Sequence, residues 1–270
     1  MFCRNPSAVV GMLLLGLIIA AAVCGPLLVP ADPFEMVAAP LTPPGTADAW
    51  LGSDQLGRDI AIGLLHGGRA TLLVGAVAAL LSVSIGIGLG ALAGYHGGRI
   101  DAMLMRVTEF FQVLPALLFA MVLVTLFSPN LVTVTLAIGL VSWPGTARLA
   151  RGEFLRLRDM EFVRAERSIG AGDARIIWRV ILPNAMAPLV VSATLAVGSA
   201  ILFEAGLSFL GLGDPNRISW GMMIGASRQY VLSAWWVVAV PGAAIFFTVL
   251  AVSLIGDGLN DALNPKLRAR

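Results

Sequence analysis

Charge is scarce in this chain. Asp, Glu, Lys and Arg make up 13% of its 270 residues, about half the share found in an ordinary soluble domain. So little polarity cannot cover a surface that faces water on every side. Lysine is nearly missing: Lys266, between Pro265 and Leu267, is the only one. A phosphate-binding P-loop needs lysine after its last glycine, followed by Ser or Thr, to reach the β- and γ-phosphates. The chain therefore cannot hydrolyse ATP by that route. Its two cysteines, Cys3 and Cys24, fall at opposite ends of the first apolar run. If that run is helical they lie about 30 Å apart, too far to bridge, and both read as inert. The two histidines, His66 and His96, each precede a Gly-Gly pair and read as loop residues on opposite sides of a bilayer. They cannot share a metal, and no serine pairs with either in a recognisable protease motif. No metal, no cofactor and no catalytic residue is expected, so the chain is not expected to be an enzyme. The arginines punctuate apolar runs and no polar domain carries a basic face, which argues against nucleic acid as a partner.

What is present is apolar: 58% of the residues are hydrophobic and the mean hydropathy is +0.88. A helix needs about 20 apolar residues to cross a bilayer. Six stretches meet or approach this: 8–29, 70–94, 110–127, 131–147, 188–203 with its flanks, and 231–256. The expected fold is an all-α membrane protein with six transmembrane helices and both termini cytoplasmic. Arg4 with the following apolar run and Ala20-Ala21-Ala22 also looks like a secretory signal peptide. The run is long for a signal core, usually about 7–15 residues, and reads as a retained span. With the N-terminus inside, the inner segments hold Arg4, Arg99, Arg106, the eight arginines of 148–179, Lys266, Arg268 and Arg270, fourteen cations in all. The outer segments hold four: Arg58, Arg69, Arg217 and Arg228. That asymmetry fixes the orientation.

Residues 30–68 read as one long outer loop. Pro30, Pro33, Pro40, Pro43 and Pro44 forbid a helix through its first half, and a polar turn at 50–59 leads into a surface helix. In the second span Ser82, Gly86, Gly90 and Gly94 recur every four residues, a stripe on which another helix can approach closely. Residues 206–230 are too apolar for a free loop and too broken to span, so they read as a segment dipping into the outer interface.

The segment 146–183 departs from all this. It carries Arg148, Arg151, Arg156, Arg158, Arg164, Arg167, Arg175 and Arg179, and cannot sit in hydrocarbon. Phe162, Ala165 and Ile169 share one helical face. Gly170 is placed to end that helix in a left-handed cap. Asp173 is placed to cap a second short helix whose apolar face is Ile176, Ile177, Val180 and Ile181, and Pro183 follows, where the next span begins. Two readings fit this spacing equally: docking to a cytoplasmic partner, or anchoring to anionic lipid.

The residues themselves break the tie. Glu161-Phe162-Val163-Arg164-Ala165-Glu166-Arg167-Ser168-Ile169-Gly170-Ala171, with Ile181-Leu182-Pro183-Asn184 after it, resembles the cytoplasmic signature loop of ABC-importer permeases, in particular the dipeptide, oligopeptide and nickel group. Trp50 to Asp59 resembles that group's outer-loop motif. Leu207-Ser208-Phe209-Leu210-Gly211-Leu212-Gly213 with Ser219-Trp220-Gly221 resembles its last outer segment, and Gly256 to Pro265 its C-terminal tail.

The resemblance covers essentially the whole chain and implies a type I ABC importer permease fold. It also implies a coupling helix, carried by Glu161, Arg164, Ala165, Glu166, Gly170, Ala171, Asp173 and Pro183, that seats on one of two cytoplasmic ATPase subunits. The pathway would be shared with a homologous permease as a heterodimer. An extracytoplasmic solute-binding protein would deliver the cargo. The implied domains are 1–68, 69–258 with the coupling loop at 148–183, and a cytoplasmic tail at 259–270. The implied location is a bacterial cytoplasmic (inner) membrane. Three departures stand out. The signature's Glu-Ala-Ala is replaced by Arg164, Ala165 and Glu166, the 214–219 stretch is about one residue short, and Asn260 and Asn264 replace tail charges.

Two carboxylates are candidates for the pathway. Glu109 opens the third span, with Arg106 three residues earlier as a plainer ion-pair partner, and Glu204 closes the fifth. Peptides, nickel or metal chelates and other small solutes all remain open as cargo, with peptide favoured. An ion-gradient-driven carrier is the alternative of a different class. Such carriers show internal repeats and midplane charges, of which this sequence has no clear repeat and few such charges.

Overall fold

The structure, a computed structural model, describes residues 5–46 and 49–263. Arg4, Lys266, Arg268 and Arg270 of the charge count, Cys3, and Asn264 and Pro265 of the tail motif lie outside the described residues. Among those described, no strand forms and helices dominate: α1 (Pro6–Leu28), α2 (Ile60–His96), α3 (Gly98–Val113), α4 (Ala116–Leu126), α5 (Leu131–Leu157), α6 (Glu161–Ser168), α7 (Asp173–Arg175), α8 (Leu182–Phe209), α9 (Trp220–Ser227) and α10 (Trp236–Leu263). α7 and α8 are joined by a π-helical stretch, Ile176–Ile181.

Four helical runs are long and apolar enough to cross a membrane: α1, α2, the run Asp173–Phe209, and α10. α3 and α4 together would make a fifth, but the pair bends by 85°, and the expected span 110–127 covers only the end of α3 with α4. The cause of the bend is Pro115. It disfavours helical geometry for the residue before it, and Leu114 is extended (φ −75, ψ 130). The expected span 131–147 is the first part of α5, whose later turns carry Arg148, Arg151, Glu153 and Arg156.

α2 corrects the expected outer loop. It begins at Ile60, capped by Asp59, whose Oδ1 accepts from the Ala61 amide at 2.7 Å, and runs unbroken for 37 residues. His66 is therefore inside a helix and His96 is that helix's last residue, about 45 Å away by helical rise. Gly67 and Gly68 look like loop residues but serve close packing. A Cβ on Gly68 would lie 2.9 Å from the Ala22 Cβ and 3.0 Å from the Trp220 ring.

The segment between α1 and α2 is folded down by its own polar residues. Asp54 Oδ1 accepts from the Leu56 and Arg58 amides at 2.8 and 2.9 Å. Buried Ser53 donates to the Ala39 carbonyl at 2.6 Å, Ser227 donates to Gln55 Oε1 at 2.6 Å, and the Trp236 indole donates to the Ser53 carbonyl. These bonds tie the 50–59 motif to α9 and α10.

α1 contains Pro26, which has no N–H for the Ala22 carbonyl four residues earlier. Arg69 supplies the missing donor: its Nε reaches Ala22 O at 2.9 Å and its Nη2 reaches Val23 O. α1 also lies along α10, and Asn5 Nδ2 donates to Asp261 Oδ2 at 2.9 Å, so the first turn of α1 and the last turn of α10 share one end of the bundle.

Candidate functional site

Ser82, Gly86, Gly90 and Gly94 face α5 at the centre of the bundle. A Cβ on Gly86 would fall 2.6 Å from Thr146 Cβ, and one on Gly94 2.6 Å from the Arg151 carbonyl. The two helices therefore run backbone to backbone from Gly86 to Gly94.

The arginine-rich hairpin has its own core. Val163 of α6 is fully buried, packed with Tyr95, Phe154, Leu157, Ile176, Ile177, Ile181, Ala185 and Leu189 from α2, α5 and the start of α8. The apolar face marked by Phe162, Ala165 and Ile169 points away from that core. Phe162 is 41% and Ile169 75% exposed, and Ala165 is exposed as well. Val163 is the apolar side chain by which α6 enters the core, which leaves the Phe162, Ala165 and Ile169 face outward. Exposed apolar groups on an otherwise charged helix mark a contact surface, for protein or membrane.

Polar contacts fix the hairpin to the helix ends. The Tyr95 hydroxyl donates to Asp173 Oδ1 at 2.6 Å, and Arg167 lies over the Tyr95 ring, 5.3 Å from its centroid. Arg158 Nη1 donates to the Gly94 carbonyl at 3.1 Å. The Arg151 guanidinium grips Asp101 of α3 with two bonds, one of 2.7 Å. Asp173 is thus an acceptor for Tyr95 and not the expected cap: Gly172 holds the N-cap position and no side chain caps there.

Gly170 has φ +83. Its amide bonds Arg167 O at 3.0 Å and the Ala171 amide bonds Glu166 O at 3.1 Å, the paired bonds of a Schellman motif. Glu166 Oε2 lies 3.8 Å from Arg175 Nε, a loose ion pair across the hairpin. Glu161 and Arg164 are exposed, and Ala171 is half-buried against the core.

Pro183 stands in the first turn of α8, where the next span was expected to begin, and the π-helical stretch before it leads into that helix without a break. Asn184 Nδ2 donates to the Val180 carbonyl at 2.7 Å. The hairpin therefore continues directly into α8.

The pathway candidates fare differently. Glu109 is exposed on α3, and among the described residues no ion pair joins it to Arg106. Glu204 is 2% exposed and lies behind the outer segment. Its Oε1 accepts from Ser208 and Ser219 at 2.7 Å each, and Thr71 Oγ1 lies 3.5 Å from its Oε2. Ser219 also accepts from the Met222 amide as the cap of α9. One carboxylate thus gathers α2, α8 and α9. Glu204→Ala leaves two or three buried hydroxyls without an acceptor, at about 1–3 kcal/mol each, whereas Glu204→Gln keeps an acceptor oxygen. The alanine variant is expected to melt several degrees lower in detergent and the glutamine variant to stay near the native value, as thermal unfolding of the purified chain will show.

Tyr95, Val163 and Thr71 carry these contacts and were not singled out in the sequence. Tyr95 had one signal: it is one of only two tyrosines and stands at the end of the small-residue stripe.

A family model described as a binding-protein-dependent transport system inner membrane component matches residues 86–269. A second, for the N-terminal transmembrane domain of oligopeptide transport permease C, matches residues 1–44. The chain belongs to the binding-protein-dependent permease family. This permease is 43% identical over 99% of its length to a di/tripeptide transport system permease protein DppC of Pseudomonas aeruginosa, covering 90% of that protein. It is 41% identical over 98% of its length to a dipeptide transport system permease protein DppC of Bacillus subtilis, covering 83% of it. An inward-facing structure of the MetNI methionine ABC transporter contains a chain that matches with a TM-score of 0.63 at 19% identity, covering 75% of this permease and 96% of that chain. That likeness establishes the fold. Family members are the membrane subunits of ABC importers, so this permease is not an enzyme and the ATPase is a separate subunit.

Proposed function

We propose that this permease imports di- or oligopeptides across a bacterial inner membrane. It would pair with a homologous permease, couple to two cytoplasmic ATPase subunits, and receive cargo from an extracytoplasmic binding protein. The observation that carries this reading is the match, over 98–99% of the chain, to relatives named for dipeptide transport. In this reading there are six spans, with the apolar first part of α5 as the fourth, and the shared end of α1 and α10 faces the cytoplasm with the hairpin. Residues 148–183 then form the coupling loop within 69–258, and 259–270 the tail.

The geometry supports a route for force. The exposed face of α6 would seat on an ATPase, and its movement would carry the hairpin core with it. Shifting a two-state gate from 1:99 to 99:1 takes about 5.5 kcal/mol. Four buried aliphatic side chains, Val163, Ile176, Ile177 and Ile181, each contribute about 1.5–3 kcal/mol, enough for the hairpin to stay attached under that load. The run Asp173–Phe209 spans 37 residues, about 55 Å of helix. It ends where Glu204 and Ser208 hold the cap of α9. A displacement at the inner hairpin therefore reaches the outer segment through one continuous helix.

The test is uptake into vesicles carrying the whole complex with its binding protein. ATP-dependent accumulation of a dipeptide and not of a nickel chelate is the expected result. Accumulation of the chelate alone would contradict the peptide assignment, and uptake without ATPase subunits would contradict the permease mechanism.

A further inference from the structure

α2, α5 and α8 line a groove of about 210 Å³ to which Glu204 does not contribute. Hydroxyls line it: Ser82 from α2, Ser142 and Thr146 from α5, and Ser192 and Ser199 from α8. No charged side chain contributes. Ser82 forms the floor. It is 1% exposed, and its Oγ has no hydrogen-bond partner. Serine and threonine inside a helix commonly turn back to the carbonyl four residues earlier. Thr108, Thr135 and Thr248 do this here at 2.8, 2.6 and 2.7 Å. Ser82 does not, and a buried hydroxyl left unpaired carries a penalty unless something fills the space before it.

The groove opens along α5 and α8, where Ser142 and Ser192 are half-buried and Ser199 is exposed. Hydrocarbon offers such groups no partner, so a polar occupant suits the opening better than lipid. A hydroxyl both donates and accepts, and rotates to suit its partner. A ring of them can serve either the N–H or the C=O of an amide, whatever side chain lies beside it. Without a charge, it binds weakly enough to release.

We propose that this hydroxyl-lined groove is a transport subsite that takes the peptide-bond amide of the passing solute. The proposal rests on the peptide reading above and adds residues to it. It accounts for how one pathway could handle peptides of differing side chains.

The test uses the whole complex in vesicles, with Cys3→Ser and Cys24→Ser as background. Ser142→Cys, Ser192→Cys and Ser199→Cys are introduced singly, with Leu17→Cys on the first helix as a lipid-facing control. A small cationic thiol reagent should label the three groove positions and spare the control, without any solute present. Turnover with dipeptide-loaded binding protein and ATP should slow labelling by about fivefold or more, the scale of one net hydrogen bond. In the otherwise native chain, Ser82→Ala should lower dipeptide uptake per ATP by a similar factor, with the complex still assembled.

Groove thiols that resist the reagent and cross-link to the sister permease would overturn the proposal in favour of a helix interface. Labelling that dipeptide does not slow would also overturn it, leaving a water-lined wall. If the native complex takes up no dipeptide, the peptide reading itself fails, and the labelling without solute distinguishes that failure from a misplaced groove.

Discussion

Replacing Gly90 with Val is expected to remove the folded protein from the membrane. A Cβ at this position would collide with the Ala147 carbonyl and come within 2.7 Å of the Ala150 Cβ and 2.9 Å of the Arg151 amide. Two of these neighbours are backbone atoms, so no side chain can rotate away and α2 and α5 must separate. Overpacking a close interface typically costs about 1–3 kcal/mol. Here separation also strains the Arg158 bond to the Gly94 carbonyl and the hairpin packing beyond it, so the effect is expected at or above that range. Gly88 is the control: it lies on the same helix with nothing within 4 Å of its Cβ position. Gly88→Val should express and melt like the native chain. Membrane protein level and thermal unfolding in detergent check both. Equal behaviour of the two variants would mean that the stripe does not set the α2–α5 distance.

The second large effect is expected at the hairpin. Phe162→Asp with Ile169→Asp changes two side chains that are 41% and 75% exposed and leaves the core around Val163 untouched. The chain should insert and melt normally. Uptake by the complex should fall at least tenfold, because losing even one buried apolar anchor of about 1.5–3 kcal/mol exceeds the 1.4 kcal/mol that corresponds to tenfold. Vesicle uptake, measured with the amount of ATPase that co-purifies, checks this. Normal uptake in the double variant would show that this face docks nothing.

Much of the architecture was legible in the sequence, for physical reasons. Lipid admits only helices or closed barrels, so apolar runs report spans directly, and Ser82, Gly86, Gly90 and Gly94 at a four-residue period report a close helix contact. Positive φ at Gly170 was readable because only a left-handed residue ends a helix that way.

What escaped is what depends on distant partners. Gly67 and Gly68 look like loop punctuation unless one knows that Trp220 packs on them from far along the chain. Phe162, Ala165 and Ile169 share an apolar face by periodicity, which cannot say whether the chain itself covers it. Asp173 looked like a cap because its acceptor role is filled by Tyr95, 78 positions away. Glu204 stood out as a charge near the outer face, but the sequence does not bring Thr71 and Ser219 around it. The break at Pro115 was visible as a proline, but its 85° angle was not.

The most direct measurement is cross-linking from the exposed tip of the hairpin. In the Cys3→Ser, Cys24→Ser background, Ile169→Cys is treated with a short bifunctional thiol reagent in membranes holding the whole complex. The expected result is a covalent adduct with the ATPase subunit whose yield changes when ATP is bound. Labelling of that thiol by an impermeant reagent applied from the outer side, with no ATPase adduct, would contradict it.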